Sequence, residues 1–116
     1  MTYNAVVSPD DKPLVWLHGQ VKTPPFSGGA RLEAGFLLRK LQKGAALEMP
    51  HSRPMPGVGA RCHELRVVDA DKTWRLIYRL DEDAIVIAEV FSKKSRATPR
   101  SVIDQAKKRL RDYDNA

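Results

Sequence analysis

Two periodicities organise the hydrophobic and polar positions of this chain. Apolar residues recur at helical spacing at Ala30, Ala34, Leu37, Leu38 and Leu41, with Leu32 and Phe36 widening the stripe and Arg31, Arg39, Lys40 and Lys43 on the polar side. Ser27 precedes this run as an N-cap and Gly44 follows it as a C-terminal stop, so a helix is predicted between them. Farther on the period changes to two. From Arg61 to Val68, Leu65 and Val67 face one way and Cys62, Glu64 and Arg66 the other. From Lys72 to Leu80, Trp74, Leu76, Tyr78 and Leu80 share one face, and Thr73, Arg75, Ile77 and Arg79 the other. Ala84 to Phe91 is almost continuously apolar and β-branched, which predicts the central strand of a sheet. The turns Asp69-Ala70-Asp71 and Asp81-Glu82-Asp83 are short enough to join these strands only as an antiparallel meander.

The rest of the chain frames this centre. Leu14-Val15-Trp16-Leu17 predicts a first strand, and Pro24-Pro25 breaks the chain after it. Glu48 to Ala60 holds Pro50, Pro54, Pro56, Gly57 and Gly59 and is expected to be a connecting loop, which also carries His51 and Arg53. Thr98 is expected to cap a last helix with Pro99 at its first position, and Val102, Ile103, Ala106 and Leu110 form its apolar stripe among Lys107, Lys108, Arg109 and Arg111. The order strand, helix, three strands, helix predicts an α+β fold with both helices packed against a small antiparallel sheet.

Size and charge narrow the picture. The 116 residues fit one domain over 1–116, with Met1 to Lys12 as a loose leader. Twenty Lys and Arg against fourteen Asp and Glu leave a net charge of +6, which favours an acidic partner: nucleic acid, an acidic protein or an anionic membrane surface. A single cysteine, Cys62, forbids an intrachain disulfide and suits a reducing cytoplasm. Cys62 with the scattered His18, His51 and His63 forms no metal-ligand spacing, so neither a metal nor another cofactor is expected. No apolar run is long enough to span a bilayer, and the start has no positively charged segment leading into an apolar one, so no membrane partner and no secretory signal are expected.

The second face of the sheet carries the candidate chemistry. Arg66, Arg75 and Arg79 share it by parity, and a face covered by core does not normally hold three guanidiniums, so it is expected to lie open to solvent or ligand. Lys93, Lys94 and Arg96 follow the last strand and concentrate positive charge at one end of the sheet. Arginine forks suit phosphate; a solvated strand face would also explain them. Tyr78 has the parity of core, and Phe91, ending its strand, is a candidate for stacking on a base. His63 has the apolar parity of Leu65, Glu64 shares the face of Arg66 and is expected to orient it, and Cys62 reads as a small filler.

Glu64-Leu65-Arg66, then Arg75-Leu76-Ile77-Tyr78, then Phe91-Ser92-Lys93-Lys94, then Thr98-Pro99 before a helix with Ala106 and Arg109, resembles the phage-related HigB-like branch of the RelE/ParE toxin superfamily over roughly Arg31 to Tyr113. The resemblance implies a small twisted antiparallel sheet with helices on one side. It also implies the toxin of a type II toxin–antitoxin pair, a metal-independent endoribonuclease that cuts mRNA on the ribosome. Its implied partner is an antitoxin with a helix-turn-helix domain. In such an enzyme the RNA 2′-hydroxyl attacks the adjacent phosphorus; Arg66 and Arg75 are the candidates for stabilising the phosphoryl oxygens and Lys93 or Lys94 for exchanging a proton, with Arg79, Arg96 and Phe91 holding RNA. The alternatives are a non-enzymatic toxin of the same fold acting on a protein such as DNA gyrase, and a degenerate nucleic-acid-binding module.

Overall fold

A computed structural model describes residues 10–93 and 97–116. Five strands and two helices follow one another as β1 (Leu14–Trp16), α1 (Gly28–Gln42), β2 (Ser52–Pro54), β3 (Cys62–Val68), β4 (Thr73–Leu80), β5 (Ile85–Lys93) and α2 (Arg100–Asp114). The fold is α+β, around one sheet of order β1-β5-β4-β3-β2. The predicted meander is present: β3, β4 and β5 are antiparallel neighbours, closed by Asp69 N–H to the Lys72 carbonyl and Asp81 N–H to the Ala84 carbonyl.

Three expectations need correction at this level. The sheet is mixed rather than antiparallel, because β1 runs parallel to β5, with Leu14 opposite Ile85 and Trp16 opposite Ile87. The middle strand is β4, and β5 lies between it and β1; a strand flanked on both sides by others is apolar whether or not it is the central one. The Pro- and Gly-rich segment contains β2, whose Ser52 pairs with Leu65 and whose Pro54 pairs with His63. Proline is tolerated there because β2 is an edge strand, with no further strand to receive its missing N–H.

The helices cover opposite faces of the sheet, not one. The stripe of α1 buries Ala30, Ala34, Leu37, Leu38 and Leu41 against Leu65, Val67, Trp74, Leu76, Tyr78, Ile85 and Ile87. Ser27 caps α1 as its sequence predicts, its hydroxyl accepting from Ala30 N–H at 3.0 Å, and Gly44 follows the C-cap at a φ of +90°. The stripe is narrower than the apolar sequence suggests: Leu32 and Phe36 are exposed, whereas Arg39, assigned to the polar side, is buried on an ion pair with Asp11 at 2.6 Å. On the other face α2 packs Ala106 and Leu110, with Val102, Ile103 and Tyr113 alongside, on Cys62, Ile77, Ala84, Val86 and Ala88. The open face expected from its three arginines is therefore closed over part of its area by α2.

A bulge sets what the remainder of that face displays. Ile77 pairs with Glu89 but Tyr78 pairs with Ile87, leaving Ala88 as the extra residue of β5. Beyond this point the parity of β5 is reversed. Glu89, Phe91 and Lys93 join Ile77, Arg75 and Thr73 on the α2 face.

Candidate functional site

Next to α2, the same face carries a polar cluster built on one carboxylate. Glu64 is 0% exposed. Its Oε1 accepts from Arg75 Nη1 at 2.7 Å and from Arg53 Nε at 3.1 Å. Its Oε2 accepts from the Thr98 hydroxyl at 2.6 Å and lies 3.6 Å from Lys93 Nζ. Each donor comes from a different element: Arg53 from β2, Arg75 from β4, Lys93 from β5 and Thr98 from the residues before α2. Burial alone would raise the Glu64 carboxyl; the Thr98 hydroxyl and the Lys93, Arg53 and Arg75 cations outweigh it and hold the group below the usual carboxylate range, so it is an anion. Burial likewise pulls the Lys93 ammonium down, Glu64 opposing and Arg75 and Arg53 reinforcing the shift. The Arg75 guanidinium is lowered by burial too, with Glu64 opposing.

Three cations, Arg53, Arg75 and Lys93, converge here on one acid, and a fourth lies beside them. Arg66 stands directly across from Arg75 in the β3–β4 register and adds its charge to the same spot. Its Nε is buried without a hydrogen-bond partner among the described residues. Arg75 Nε is in the same condition although Arg75 is only 4% exposed. Buried donors without acceptors are uncommon, and each costs about 1–3 kcal/mol. Both belong to side chains that line one cleft of about 410 Å³, shared with Arg53 and Met49. The chemistry on offer is a group of guanidiniums lining a hollow, which suits an anion with several oxygens.

Of the expected site residues, Arg66, Arg75 and Lys93 are brought together. Lys93 is turned inward: its side chain is 6% exposed and its ammonium donates to the Thr98 hydroxyl at 2.6 Å, so it holds the cluster rather than lining the cleft. Lys94 and Arg96 lie outside the described residues. Arg79 is elsewhere. Its guanidinium is held by Asp81 and Asp114, with contacts of 2.6 Å to each, and those carboxylates raise it above its ordinary range. It borders a separate cavity of about 420 Å³ with Arg61, Cys62, Lys107 and Arg111. Phe91 is partly buried against the α2 core, with Lys93 Nζ 5.8 Å from its ring centre.

Glu64 orients Arg75 and Arg53, not the Arg66 it was expected to hold. Thr98 makes no capping bond: α2 starts at Arg100 behind Pro99, and the Thr98 hydroxyl is committed to Glu64. Tyr78 is core as its parity indicates, its hydroxyl 2.6 Å from that of Ser52 and its ring stacked on His63. His51 is placed against Glu33 of α1, Nδ1 to Oε1 at 3.9 Å. Cys62 is buried, and burial pushes its thiol up, which suits a filler more than a nucleophile. The sequence reading missed Arg53 and Met49. Only the pairing of β2 with β3 brings them beside Arg66, and a three-residue strand containing proline gives little sequence signal.

Fold and site together define a small α+β protein with a cationic cleft on the uncovered part of its sheet. Residues 25–111 match the family described as phage derived protein Gp49-like (DUF891). The chain belongs to this family, which is of the RelE toxin type. A comparison with curated proteins gave no match. Among the described residues no helix is long and apolar enough to cross a membrane.

Proposed function

We propose that the protein is the toxin of a type II toxin–antitoxin pair and cleaves mRNA on the ribosome, with Arg66 and Arg75 gripping the scissile phosphate. One observation carries the reading: two guanidiniums side by side on β3 and β4, with Arg53 beside them, line a cleft that can take a phosphate. Membership of a family of RelE toxin type supports the toxin role.

In the reaction, the 2′-oxygen forms a bond to phosphorus, the bond from phosphorus to the 5′-oxygen breaks, and a proton passes overall from the first oxygen to the second. The phosphoryl oxygens gain negative charge on the way. Donors positioned in advance stabilise such charge without reorganising, and loss of one typically costs about 10²–10³ in rate. Arg66 and Arg75 supply these donors, and Arg53 extends them along the RNA backbone. Glu64, Lys93 and Thr98 are positioning residues: they fix Arg75 and Arg53 and do not meet the RNA.

The test is expression without any antitoxin, mapping 5′ ends across cellular mRNA. Arg66→Ala is the cleanest control, because Arg66 is partly exposed and lies outside the hydrogen bonds that Glu64 accepts. The wild-type protein is expected to stop growth and cut within translated regions, and Arg66→Ala to do neither while remaining folded. Growth arrest with intact mRNA would instead mean a protein target. Full cutting by a folded Arg66→Ala protein would refute the placement of the site.

A further inference from the structure

The cationic cleft has one wall that a phosphate does not need. Met49 is 61% exposed and is the apolar member of the four described residues that line it, the others being Arg53, Arg66 and Arg75. A thioether left in water beside three guanidiniums is out of keeping with a site for a bare inorganic anion, whose shell is entirely polar. It fits a ligand that is charged at one end and flat and apolar at the other. Methionine is unbranched and polarizable and packs well on aromatic rings, on which its sulfur makes favourable contacts.

We propose that Met49 forms a nucleobase subsite: the cleft takes a nucleotide, with its phosphate on Arg66 and Arg75 and the adjoining base against the Met49 side chain. This rests on the phosphate-gripping reading above and adds to it a specificity-determining residue outside the guanidinium set. A thioether offers no hydrogen-bond pattern to a base edge, so the subsite recognises that a base is present and discriminates little between bases. Base stacking in single-strand recognition is tolerant in the same way.

The experiment titrates the isotopically labelled protein with adenosine 3′-monophosphate and, separately, with ribose 5-phosphate, following amide shifts by NMR. The wild type is expected to bind the nucleotide tighter than the sugar phosphate by up to about tenfold, the upper end of what a thioether packed on an aromatic ring provides. In Met49→Ala that ratio falls towards one, and in Met49→Leu, which keeps an apolar side chain of similar length, most of it survives. Arg66→Ala weakens both ligands together. A wild-type ratio near one, or a ratio that Met49→Ala leaves unchanged, would overturn the base subsite while phosphate binding that depends on Arg66 still stands. Binding of neither ligand would overturn the phosphate site and the base subsite with it.

Discussion

Replacing Glu64 with glutamine puts the largest strain on the structure for the smallest change in shape. The carboxylate is fully buried and receives Arg75, Arg53 and Thr98, with Lys93 at 3.6 Å. The substituted amide would keep one acceptor oxygen, enough for Arg75. Its nitrogen would face the Thr98 hydroxyl and the Lys93 ammonium as a third donor, and the cations would have lost the carboxylate they converge on. Removing one partner of a buried ion pair costs about 3–5 kcal/mol; because one acceptor remains, about 3 kcal/mol is expected here. With urea m-values of about 1–3 kcal/mol/M, the unfolding midpoint should fall by roughly 1–3 M. The assay is equilibrium urea unfolding of both proteins at neutral pH.

Acid should then distinguish them further. The Glu64 carboxyl is lowered in the folded state, so its contribution is complete above the ordinary glutamate range near ~4.3 and is lost as pH falls through the lower, folded value. The gap between wild type and Glu64→Gln should therefore narrow in acid. A midpoint shift under about 0.3 M at neutral pH, or a gap that widens in acid, would refute the idea that this carboxylate organises the site.

Two further predictions concern the scaffold. Tyr78→Phe leaves the buried Ser52 hydroxyl without its 2.6 Å partner and should cost about 1–3 kcal/mol by the same assay, with Ser52→Ala/Tyr78→Phe less damaging than the two single losses added together. Gly19→Ala introduces a Cβ only 2.7 Å from Val90 Cβ at a φ of +84°, so its melting temperature should drop by several degrees, consistent with about 1–3 kcal/mol; an unchanged melting temperature would contradict the close approach of that turn to β5.

Legibility in the sequence followed the range of the forces involved. The caps of α1, the meander of β3 to β5 and the apolar stripe of α2 depend on neighbours within a few residues, and their spacing is printed in the chain. The alternation of β3 and β4 correctly put Arg66, Arg75 and Arg79 on one face. It could not foresee that α2 would cover part of that face, nor that Asp114, thirty-five positions away, would claim Arg79. The bulge at Ala88 was equally hidden. Strict alternation from Val86 would send Lys93 to the α1 side, and one inserted residue brings it to Glu64 instead. Arg53 was lost because its strand is three residues long and includes a proline. Thr98 was lost because a Thr-Pro pair suits a helix start so well that its bond to Glu64 went unsuspected.

The two outer strands of the sheet have a consequence for the solution behaviour of the molecule. Three central strands of seven, eight and nine residues are flanked by β1 and β2, which have three each, and β2 ends at Pro54. Sheet borders are where proteins recruit one another into fibrils, because unpaired amides template the next chain. Among the described residues, an arriving strand that pairs with β1 or β2 would meet a strand of three residues, and β2 ends in a residue that cannot donate. Pairing through either outer strand would therefore gain few main-chain hydrogen bonds, which limits how firmly a second copy could dock on β1 or β2.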